Sequence, residues 1–156
     1  MSFFSLRHSE HAARILGYAG LIPFIGLTLS AWVLTAVGTG AGLSVFPAAI
    51  AAYGAVILSF LGAVHWGRII SAPMEDPLAS LWLLASVIPS LIGWVALLLP
   101  HPYGLGLLLT GFALAWDGDR RATRNGLLPQ WYGCLRTRLS LIVGTTLVLA
   151  LFLPHT

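Results

Sequence analysis

The sequence predicts an all-α integral membrane bundle of about five transmembrane helices, a single membrane domain over residues 1–156. Three observations predict it. The chain is 58% hydrophobic and 8% charged, against roughly 25% charged residues in soluble domains. A chain of this length could not hide so much apolar surface in one water-soluble core. No Asp, Glu, Lys or Arg stands between Arg14 and Arg68, a stretch long enough for two bilayer crossings of about 20 residues each. Finally, the charges that do occur fall between apolar blocks, and five crossings put every basic residue on one side.

The elements follow in chain order. The first span is Ile15–Val37; it is longer than the roughly 7–15 residues of a signal-peptide apolar core, so an uncleaved crossing is expected. Gly38-Thr39-Gly40-Ala41-Gly42 supplies a turn, and the second span runs Val45–Gly67. Asp76-Pro77 opens the third, Leu78–Leu99, with Asp as N-cap and Pro at the first helical position. Pro89 is expected to kink that helix, and Pro100-His101-Pro102 to end it. The fourth span, Tyr103–Trp116, is short; the fifth, Leu139–Leu153, has an expected start as early as Tyr132.

Charge placement sets the orientation. All eight basic residues are arginines. Arg7 and Arg14 precede the first span, Arg68 follows the second, and Arg120, Arg121, Arg124, Arg136 and Arg138 separate the fourth from the fifth. The positive-inside rule then places the N-terminus in the cytoplasm and the C-terminus in the periplasm of a bacterial inner membrane. The same rule accounts for the net charge of +3 without nucleic acid, which is not an expected partner. The lone Cys134 excludes an internal disulfide and reads as a small packing residue.

Six tryptophans make the chain tryptophan-rich. Trp66, Trp116, Trp131 and Tyr132 fall at the inner boundary, as an aromatic belt would. Trp32, Trp82 and Trp94 read as packing residues or pocket walls.

Two features carry chemistry. Ala51, Ala55, Ser59, Ala63 and Gly67 recur every four residues along the second span, a ridge of small residues that lets helix backbones approach and marks a central helix. At the inner end of that helix stands His65, and an ionisable residue inside a span is a functional candidate by default. Asp117 ends the fourth span, where the helix dipole disfavours a carboxylate, so a cation must lie near. Either it forms a local pair with Arg120 or Arg121, or it joins an inner-face ligand-binding cluster of His65, Trp66, Arg68, Trp131, Tyr132 and Arg136. Glu75 and Asp119 read as solvated loop charges. No catalytic group, metal site or cofactor is assigned: there is no phosphate loop, nucleophile elbow or paired metal ligand, and haem would lack a second histidine at the depth of His65.

With these segments placed, the chain resembles the uncharacterised five-pass membrane protein family that spans bacterial domain-of-unknown-function proteins and the eukaryotic mitochondrial transmembrane protein sixty-nine. The stretches that carry the likeness are Gly17–Phe24, Tyr53–Gly62 running on to His65-Trp66-Gly67, and Leu128–Tyr132 with Leu135-Arg136. The resemblance implies a bacterial or mitochondrial inner membrane and brings no reaction. The expected function is non-enzymatic: an accessory or small-molecule-binding bundle with a polar site at the cytoplasmic face. The alternatives are a structural subunit or assembly factor of a larger membrane complex, and a small enzyme or transporter using His65 and Asp117. The expected partners are the lipid bilayer and, for a subunit, further copies or a larger complex.

Overall fold

The computed structural model describes residues 3–38, 43–71 and 79–153. Glu75, the Asp76 cap and part of the glycine-rich turn lie outside the described residues. The described chain is helical and divides into α1 (Phe3–Ala19), α2 (Ile22–Ala36), α3 (Val45–Ser71), α4 (Ala79–Leu98), α5 (Tyr103–Arg124) and α6 (Gln130–Leu151). Four stretches are long and apolar enough to cross a membrane: Ser9–Ala36, Val45–Ser71, Ser80–Leu98 and Gln130–Leu151. Helix α5 falls outside that set, its last turns being charged.

The first expected span is two helices rather than one. Pro23 has no N–H to give the carbonyl of Ala19, and its ring crowds that turn; α1 stops there and α2 restarts with Pro23 in its first turn. The neighbouring Gly20 carbonyl is taken by the Tyr53 hydroxyl of α3 at 3.0 Å, and Phe24 meets the Tyr53 ring edge-on at 5.1 Å. The break is therefore pinned to the central helix. At the far end of α2, Gly38 adopts φ 77° and donates to the Thr35 carbonyl, the left-handed stop expected of glycine.

Helix α3 packs against α2, α4, α5 and α6, the central position expected of it. Ile50, Leu58, Leu105, Leu108 and Leu147 are nearly fully enclosed. Outside, Leu16, Ile22, Val56, Phe60, Leu84 and Leu98 are exposed, a reversal of soluble-protein surface that suits hydrocarbon. Trp94 is 61% exposed, and Trp32 and Cys134 also face outward; none of the three packs inside the bundle.

The small-residue ridge holds in its upper half. Ala55 is buried, and Ala51 and Ser59 are partly so, but Ala63 and Gly67 are exposed. A strict four-residue repeat advances about 400° per step, some 40° beyond one turn, so it winds off the contact face. Gly62 replaces it: a Cβ there would strike the backbone carbonyl of Ser86 in α4. Lower α3 and α4 touch backbone to backbone. Helix α4 continues through Pro89 as one element.

Candidate functional site: a carboxylate shared by three helices

Helix α5 does not end at Trp116. Nothing in Asp117-Gly118-Asp119-Arg120-Arg121 stops a helix; the first true stop is Gly126, at φ 71°. There Leu127 donates to the Ala122 carbonyl at 2.9 Å and Gly126 to that of Thr123 at 3.1 Å, the paired bonds of a Schellman cap. Two further turns of helix therefore carry Asp119 beneath the bundle. Its face is continuous with Leu105, Leu108, Phe112 and Ala122, all buried.

Asp119 is 1% exposed, not a solvated loop charge. His65 Nε2 of α3 lies 2.9 Å from its Oδ1, and Arg136 Nε of α6 donates to its Oδ2 at 2.6 Å. A carboxylate paired with a guanidinium only accepts, so His65 presents its Nε2–H and leaves Nδ1 bare. Arg136 is itself 5% exposed. The Trp82 ring of α4 stacks on His65, centroids 5.7 Å apart and planes 24° from parallel. Four helices thus meet at one ion cluster.

The cluster is anchored from behind. Thr123 donates to the Asp119 carbonyl at 2.8 Å, Trp116 Nε1 donates to Thr137 at 3.1 Å, and a Cβ on Gly133 would collide with Thr123. The Trp116 bond and the close approach of Gly133 to Thr123 clamp α5 to the start of α6. Trp131 and Tyr132 meet edge to face at 6.1 Å beside Arg136.

Asp117 takes no part. Successive positions two apart point about 200° apart on a helix, and Asp117 faces outward to Arg121, whose Nη2 lies 2.6 Å from its Oδ2. Of the residues expected at the site, His65, Tyr132 and Arg136 converge; Trp131 stands beside Tyr132; Trp66 is 45% exposed and points away. Arg68 is partly buried one turn beyond His65. Sequence reasoning missed Asp119; Trp82, read there as a packing residue or pocket wall, lines the cavity beside His65.

Besides a cleft of about 400 Å³ between α5 and α6 that Arg136 also lines, two cavities adjoin the cluster. One of about 240 Å³ lies between α3, α4 and α5, with His65, Asp119 and Trp82 in its wall. The other, about 380 Å³, lies between α1, α2, α3 and α6, with Arg136, Tyr132 and Trp131 at its polar end. Leu61 lines both. Three buried polar atoms here lack a hydrogen-bond partner of standard geometry among the described residues: His65 Nδ1, Tyr132 Oη and Arg136 Nη2. No group of three or more His, Cys, Asp or Glu is gathered for a metal among the described residues.

A family model described as "Protein of unknown function (DUF3429)" matches residues 9–152. The chain belongs to that family. This DUF3429 chain is also similar to Transmembrane protein 69 of Xenopus tropicalis, 37% identical over 150 residues that cover 92% of this chain and 55% of the frog protein. Its similarity to Transmembrane protein 69 of Mus musculus is 29% over 154 residues, covering 96% of this chain and 59% of the mouse protein. The chain thus spans little more than half the length of these relatives. No solved structure matches it. Family, hydropathy and outward apolar surface agree that this is an integral membrane protein.

Proposed function

We propose that this DUF3429 chain is a five-pass, non-enzymatic membrane protein that binds a small molecule at the His65–Asp119–Arg136 cluster. The fifth crossing in this reading is α5, whose apolar first part spans and whose charged last turns reach the interface. The arginine-bearing end is the cytoplasmic one, with the N-terminus inside and the C-terminus periplasmic in a bacterial inner membrane, following the positive-inside rule.

One observation carries the reading. An ion pair that served only to hold helices together would have its remaining polar atoms satisfied, because each orphan costs about 1–3 kcal/mol. Here His65 Nδ1 is buried without a hydrogen-bond partner of standard geometry among the described residues, in the wall of one cavity, and Arg136 and Tyr132 line another of about 380 Å³, a size that takes a small ligand. A buried polar group of this kind calls for a partner that the described residues do not supply.

Native mass spectrometry of protein released from mild detergent tests it. The wild type should carry a non-covalent adduct that Arg136→Lys, which keeps a cation for Asp119 but removes the spare nitrogen, largely loses. Protein without an adduct, or equal loading of the variant, would overturn the reading.

A further inference from the structure

The larger cavity has a polar end of unusual character. Its lining is apolar or glycine except for Trp131, Tyr132 and Arg136. Indole and guanidinium nitrogens only donate, and the phenol donates readily. Arg136 is nine-tenths or more buried, its side chain is a hydrogen-bonding neighbour of the Tyr132 phenol, and the proton of that hydroxyl has no acceptor of standard geometry among the described residues. The cavity therefore offers hydrogen-bond donors and needs acceptors.

Charge decides what kind of acceptor. The Arg136 guanidinium is already matched by Asp119 at 2.6 Å. A ligand anion would have to compete with that carboxylate for the one guanidinium in a low-dielectric setting, which is expensive. A neutral acceptor incurs no such cost. The cavity also meets the outer surface: Leu16 and Phe60 line it and are 70% and 66% exposed, so its mouth opens towards the bilayer rather than towards water. At about 380 Å³ it holds a head group and the first part of a chain, the remainder lying among lipid tails.

Resting on the binding-site reading above, we infer that the cavity between α1, α2, α3 and α6 takes an uncharged, carbonyl-headed lipophile entering from the membrane, its carbonyl oxygens received by Tyr132 and Arg136. Two sources share that chemistry: a lipid-soluble quinone, and the ester carbonyl region of a phospholipid. Either leaves the Asp119 pairing intact.

The test uses the full chain in phosphatidylcholine nanodiscs, titrated with a decyl-substituted benzoquinone while tryptophan fluorescence is followed, since Trp131 borders the site. Saturable quenching is expected in the wild type, and about tenfold weaker binding in Tyr132→Phe. That variant keeps the ring and removes one hydroxyl beside Arg136, and its melting temperature, measured alongside, separates a binding loss from a folding loss. Decylbenzene, which has no acceptor, should not saturate. If saturation appears only after delipidation in detergent, the phospholipid ester is the resident occupant and the carbonyl assignment stands. Equal affinity in Tyr132→Phe, or no saturation in either setting, would overturn the inference. Tighter binding of decanoate than of the quinone would overturn the neutral head group while leaving the adduct result, and hence the binding-site reading, untouched.

Discussion

Two stretches of α3 are held by opposite means. Along its middle, α3 meets α4 through missing side chains: Gly62 lies against the Ser86 carbonyl, and a Cβ on Gly93 would stand 3.1 Å from the Ala55 carbonyl. Lipid tails are as apolar as leucine, so such contacts hold by close van der Waals approach. At its end, α3 meets α5 and α6 through a histidine, a carboxylate and a guanidinium. The first contact tolerates nothing added; the second tolerates nothing removed. The lesson is that a membrane bundle can fix its helices by subtraction in one place and by charge in another, and each has its own failure.

The polar end should fail hardest. Asp119→Ala leaves Arg136 buried and unpaired, and breaking a buried pair from one side costs about 3–5 kcal/mol. Thermal unfolding in mild detergent should show it as the largest loss in the series. Replacing Asp119, His65 and Arg136 together by Leu, Phe and Met should recover much of that loss, and no recovery would mean the cluster is not the source of it. The apolar seam comes next. Gly62→Leu should cost about 1–3 kcal/mol through overpacking, whereas Ala63→Leu, one residue on but facing outward, should cost less than about 0.5 kcal/mol. Equal effects at the two positions would erase the distinction between seam and lipid face. Smallest of all is Asp117→Asn. Its partner Arg121 is 70% exposed along the side chain, and such pairs contribute about 0–1 kcal/mol. A melting shift rivalling that of Asp119→Ala would show that the shared carboxylate had been misassigned.

The same contrast explains how much of the molecule is legible in its sequence. The apolar blocks, the Gly38 stop and the centrality of α3 emerge from composition and spacing alone, which also put forward His65, Tyr132 and Arg136 as candidates. The choice between two carboxylates two residues apart does not, once the helix is ended at Trp116 because the residues beyond it are polar. Polarity does not end helices; backbone geometry does, and Gly126 is where it changes. Extended that far, the buried series Leu105, Leu108, Phe112, Asp119 and Ala122 follows the three-and-four spacing of one helix face, which singles out Asp119 over Asp117. The lower ridge misleads for a related reason, because a four-residue repeat is not the period of the helix. The Tyr53 bond to Gly20 lies outside any local pattern: it joins positions 33 residues apart.

Order of synthesis gives the shared carboxylate a further significance. Arg136 follows Asp119 by 17 residues and so arrives with the same helical hairpin, whereas His65 precedes it by 54. As the chain emerges, α3 is therefore made before its carboxylate partner on α5, and an imidazole, unlike a guanidinium, has an uncharged form near neutral pH. The carboxylate and the guanidinium, by contrast, are made close enough in sequence to pair within one helical hairpin. The assignment of histidine to the early helix and of arginine to the late one thus matches the sequence in which a ribosome presents them to the membrane.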